Sequence, residues 1–153
     1  MNRPSSELQQ AIEFAFDELK KHDRDFGRLP FELQTLVRVV SAKGVIGNGG
    51  MRYFFERDWE GTPDYREFAG AFRTIGANEV ADAIEGTVAL FGFDDPHLDG
   101  PRRLEKYHEL WEMDPSPLAS FEFSAIDLWH TMEKTDTLLE NYVTNHRAVF
   151  LNN

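Results

Sequence analysis

Apolar residues recur in this chain every three or four positions, almost from one end to the other. The runs are bounded by helix start and stop signals rather than by the alternation of a half-buried strand. Leu8, Ile12, Ala15, Phe16 and Leu19 mark a first helical face, with Ser5 or Ser6 as its cap. Pro30 suits a first turn, and Phe31, Leu33, Leu36, Val37 and Val40 carry a second helix that Gly44 is expected to stop. A short third helix begins at Asn48, read as its N-cap, with Met51, Phe54 and Phe55 on one side. Thr62-Pro63-Asp64 opens a fourth helix with Thr62 as cap, Tyr65, Phe68, Ala69, Phe72 and Ile75 form its face, and Gly76 ends it. Val80, Ala83, Ile84, Val88 and Phe91 form the fifth. Pro101 starts a sixth, with Leu104, Tyr107, His108 and Trp111 expected on its apolar side and His108 at the edge of the core. Ser124 caps a further segment carrying Ile126, Trp129 and Met132, and a last helix holds Leu138, Leu139, Tyr142, Val143 and Val149, with a boundary placed near Thr135. The expectation is an all-α fold, one compact domain of about seven to eight helices over residues 1–153, with residues 45–91 as its core.

Composition sets the limits on function. At 153 residues the chain is one domain's worth, and folding buries about 70% of the surface of an unfolded chain of this size. There is no Cys, which removes disulfides, thiolate metal sites and Cys nucleophiles. The polar N-terminus lacks the apolar stretch of a secretion signal, and no apolar run approaches a membrane span, so a soluble, cytoplasmic protein is expected. The net charge of −11 is uneven: residues 1–50 balance at 7 Lys+Arg and 7 Asp+Glu, whereas residues 51–100 carry 4 against 11. Phosphate would be repelled by most of the chain, so nucleic acid is not expected as a direct partner.

Gly44 and Gly47-Asn48-Gly49-Gly50 resemble a phosphate-binding loop only superficially. No Lys-Ser/Thr pair follows, no strand leads in, and helix punctuation accounts for the glycines. Glu105 and His108, and Asp127 and His130, show the carboxylate–His spacing of di-iron bundles. The additional inward-pointing glutamates that such sites require fall instead on polar helix sides, so no metal or other cofactor is assigned. No nucleophile elbow is present and no carboxylate pair stands out among 27 acids, so no catalytic residue is named. Glu79, Asp82 and Glu85 are spaced three apart along the fifth helix, and Asp94, Asp95 and Asp99 follow in the next loop. Carboxylates so spaced lie about 5–6 Å apart and can present a phosphate-like track to a basic protein.

The pattern of Asn48-Gly49-Gly50 before an aromatic helix, with Ile75-Gly76-Ala77 and the helix ending Ala89-Leu90-Phe91, resembles the DNA mimic protein 19 domain family of bacteria. The lead-in Leu29-Pro30-Phe31-Glu32-Leu33 and the closing helix from Leu138 to Val143 extend the similarity over most of the chain after residue 28. This chain departs from the family pattern at Gly47 and Tyr53, where an Asn and a Gln are usual. The resemblance implies an all-helical fold without a catalytic consensus. For the named member it implies an acidic dimer that occupies the DNA-binding face of a transcription factor.

The reading that follows is an acidic interaction protein of the DNA-mimic kind, a homodimer on the family's pattern, with a basic protein such as a transcription factor as partner. Its contact residues are Glu79, Asp82, Glu85, Asp94, Asp95 and Asp99. Two alternatives stay open. One is a small-molecule or peptide binding domain with a pocket near Asn48, Arg52, Tyr53 and Trp59. The other is a toxin-neutralising, immunity-type protein. A metal-dependent enzyme using His108 and His130 is the remaining class.

Overall fold

The computed structural model describes residues 5–151, which form eight α-helices and two short 3-10 turns, with no strand among them. The stretch before Ser5, read above as carrying no secretion signal, lies outside the described residues. In chain order the helices are α1 (Ser6–Lys21), α2 (Phe31–Glu56), α3 (Tyr65–Ile75), α4 (Asn78–Phe91), α5 (Gly100–Met113), α6 (Ser116–Ala119), α7 (Ala125–Asn145) and α8 (Arg147–Phe150). Several local signals act as the sequence predicts. Ser5 Oγ accepts the Leu8 N–H, and Ser124 Oγ accepts that of Asp127. Gly76 ends α3 at φ 91°, a conformation that a side chain would disfavour. The cap of α3 is Asp64 rather than Thr62: its carboxylate accepts the Arg66 N–H at 2.8 Å, so Pro63 lies just outside the helix.

Three further sequence expectations are corrected. Gly44 does not stop α2, which runs on past it, and Asn48 lies exposed within α2 rather than capping a new helix. The break comes at Gly49 and Gly50, where Gly50 takes φ 74°. The cap for the restarted turn comes from far along the chain: Glu122 accepts the N–H groups of Met51 (3.3 Å) and Arg52 (2.8 Å). Second, α7 is continuous through Thr135, with Ile126 and Trp129 exposed near its start. Third, the inner face of α5 is rotated from the one read off its apolar residues. Arg103 and Tyr107 are buried, whereas His108 and Trp111 are exposed. A charged residue at an inward position hid this register.

The core draws on residues from Leu8 to Phe150, with its aromatic cluster in the middle of the chain. Phe54 and Phe55 are fully buried, and their rings meet each other and those of Tyr65, Phe68 and Phe91 mostly edge to face at 4.9–5.6 Å. Each such pair contributes about 0.5–1.5 kcal/mol beyond its area. α3 packs closely on α4, and α2 crosses both α3 and α7. The link 116–123 is pinned at three points. Leu118 is buried, the Phe121 ring lies where a side chain on Gly86 of α4 would sit, and Glu122 caps the break in α2.

Candidate interaction surface

α4 turns Val80, Ala83, Ile84 and Thr87 inward, so helical periodicity forces the positions between them out. Glu79, Asp82 and Glu85 are accordingly exposed, and Asp94, Asp95 and Asp99 are exposed in the segment after Gly92. Glu79 and Glu85 are separated by about 9 Å of helical rise. On the neighbouring α5, Glu105, Glu109 and Glu112 are also exposed. Acids therefore line the outer sides of two adjoining helices.

This surface carries its own counter-charges, which the sequence did not reveal. Arg73, from α3, donates from one nitrogen to Asp82 at 2.7 Å and to Glu85 at 2.8 Å. Those bonds, Glu85's first, hold its pKa above the ordinary guanidinium value. Lys134 Nζ stands 3.9 Å from Glu79. Asp99 Oδ1 caps α5 by accepting the Arg102 N–H at 3.1 Å. Asp95 joins Asp64 and His97 in a cluster whose potential ligand atoms lie within 4.8 Å of one another. Arg66 already occupies the cationic place there, donating to both Asp64 oxygens and holding that carboxyl below its usual range. The two acid–His pairs considered from sequence are elsewhere: Glu105, His108, Asp127 and His130 are all exposed, with the His130 ring edge-on to that of Trp129.

The alternative set is divided. Arg52 pairs with Glu56 at 2.5 Å, and the Tyr53 ring lies where a side chain on Gly49 would sit. Trp59 belongs to the aromatic core edge: its indole N–H donates to Phe54 O at 3.1 Å and its ring meets Phe68 at 4.8 Å. Trp59 lines a cavity whose walls include neither Asn48, Arg52 nor Tyr53.

One buried group holds the acidic segment to the core. The Arg103 side chain is 1% exposed and donates to Phe55 O (2.7 Å), Pro96 O (2.8 Å) and Asp58 Oδ1 (2.7 Å). It thereby closes the C-terminal end of α2 and fixes the 3-10 turn Pro96–Leu98 between Asp95 and Asp99. Its charge is what masked it in the sequence, although it sits one turn before buried Tyr107. For Glu122 there was no sequence signal, because its partners lie 70 and 71 residues away.

The fold defines the class first: an all-α protein built around a glycine-broken helix. Within that class the chain belongs to the DMP19-like protein family, whose model matches residues 27–146. Nothing among curated proteins and nothing among solved structures matches it. Among the described residues no helix is long and apolar enough to cross a membrane.

Proposed function

We propose that the protein is an acidic interaction protein whose α4 face and following loop bind a basic, DNA-binding protein in place of DNA. The observation that carries this reading is that all six acids from Glu79 to Asp99 are exposed on a rigidly held helix and an anchored turn. Membership of the DMP19-like family is consistent with it. Arg73 and Lys134 partly neutralise three of these acids in the isolated chain. A partner's arginines would compete for the same carboxylates, so binding is an exchange of ion pairs and falls steeply with salt.

Affinity capture from the native cell at low salt tests it, using wild type and a variant with all six acids replaced by their amides. The reading expects a basic DNA-binding protein with wild type that elutes with salt and is absent with the variant. Recovery of no basic protein, or equal recovery with both baits, contradicts it.

A further inference from the structure

A second kind of surface lies between α1, α2 and the link 57–63, and it shares none of the six acids. Two adjoining cavities, of about 410 and 270 Å³, share Arg24, Phe26, Arg38 and Glu60 in their walls. Arg57, lying over Trp59 at 4.9 Å, completes the smaller one. Three arginines thus converge on one groove, whose walls also carry Asp25, Glu60 and Glu67.

Their states differ in an informative way. The Arg24 fork is occupied: Nε and Nη2 both donate to the Glu60 carboxylate. Arg38 is 14% exposed, and the rings of Phe26 and Phe68 stack on its guanidinium at 3.8 and 5.3 Å. Its one ion-pair partner among the described residues, Glu67, is 3.6 Å away, beyond hydrogen-bond reach. Burial pulls its pKa down, only partly countered by Glu67. Its side chain lines both cavities, and none of its nitrogens is both buried and without a partner, so those without a hydrogen bond keep contact with solvent. Packing alone gives no reason for this arrangement, since an apolar side chain would fill the slot between two rings without the cost of desolvating a charge. A guanidinium held against aromatic faces in the wall of a cavity can grip a planar or tetrahedral anion with two bonds.

We propose that this groove binds a small ligand carrying an anionic group, carboxylate or phosphate, on Arg38, with an aromatic or apolar body against Trp59 and Phe16. The larger cavity lies within, and the smaller just below, the roughly 300–1,000 Å³ that small-ligand pockets occupy.

The test titrates the full chain with phenyl phosphate and benzoate. Inorganic phosphate and acetate serve as bare anions, and benzyl alcohol as the uncharged ring. The readout is the NMR signal of the Trp59 indole N–H, isolated in a Trp111→Phe, Trp129→Phe background. Saturable shifts are expected with the aromatic anions, with weaker binding of the bare anions and no response to benzyl alcohol. The tighter of the two aromatic anions identifies the group. Arg38→Gln is expected to weaken binding by about tenfold or more, and Arg38→Lys, which keeps the charge but not the fork, by less. No saturable shift with wild type, an equal response to benzyl alcohol, or unchanged affinity in Arg38→Gln would each overturn the proposal.

Discussion

Glu122 Oε1 accepts the backbone N–H of Arg52 at 2.8 Å, so one carboxylate joins the glycine break in α2 to the link between α6 and α7. The relationship explains why Gly50 is a glycine. Its φ of 74° is left-handed, and a side chain there would stand 2.6 Å from Glu122 Oε2. The glycine turn is thus a receptor for a carboxylate of the same chain. Glu122→Ala orphans the two N–H groups and is expected to cost about 1–2 kcal/mol in urea unfolding, the usual loss on removing a helix cap. Glu122→Gln, which keeps an acceptor oxygen, is expected to cost less.

The same residue predicts a pH signature. Burial outweighs its hydrogen bonds and raises its pKa above the ordinary glutamate value. A carboxyl raised on folding binds its proton more tightly in the native state, so its contribution to stability is greatest below the unfolded value, about 4.3, and is lost as pH rises through the folded value. The stability of wild type relative to Glu122→Gln should therefore fall as pH rises across that window. A flat difference from pH 4 to 7 would refute this.

Gly50→Ala combines a positive-φ, extended-ψ backbone that essentially only glycine adopts with the approach of Glu122, and is expected to lose about 1–3 kcal/mol from backbone strain alone, besides weakening the cap. Gly49→Ala meets only the ring of Tyr53, which is 51% exposed and can move aside. Thermal melts should therefore rank Gly50→Ala well below Gly49→Ala.

Arg103 separates buried from exposed electrostatics. Removing it leaves Phe55 O and Pro96 O without their donor, and Arg103→Ala is expected to cost about 3 kcal/mol or more on chemical unfolding. Its carboxylate partner Asp58 is 74% exposed and Asn keeps an acceptor oxygen for the buried guanidinium, so Asp58→Asn is expected to cost less, about 1–2 kcal/mol. Similar losses from both changes would mean that the carbonyl contacts are not what matters.

The legibility of this fold followed the range of its interactions. Helix faces, the Ser5, Ser124 and Gly76 caps and the aromatic core were readable because each depends on residues within a few positions. Asn48 was misread as a cap because the real one, Glu122, is remote in sequence. The apolar side of α5 was misread because Arg103 sits where a hydrophobe was expected. The outward placement of Glu79, Asp82 and Glu85 was legible from helical period, whereas the Arg73 bridge between two of them needed the packing of α3 on α4.

Arg73 is the place to tune the acidic face. Arg73→Gln frees Asp82 and Glu85, and because all three side chains are solvated the unfolding midpoint should hardly change. Association with a basic partner should become faster and more salt-sensitive, as read by stopped-flow mixing at two ionic strengths. An unchanged rate would place the contact surface away from α4.

The central claim is most directly met by competition. The captured basic protein is bound to its own labelled DNA, and this protein is added while DNA release is followed by fluorescence anisotropy. The account predicts full, salt-sensitive release by wild type and none by the six-amide variant. A ternary complex that keeps its DNA, or release by the variant as effective as by wild type, would contradict it.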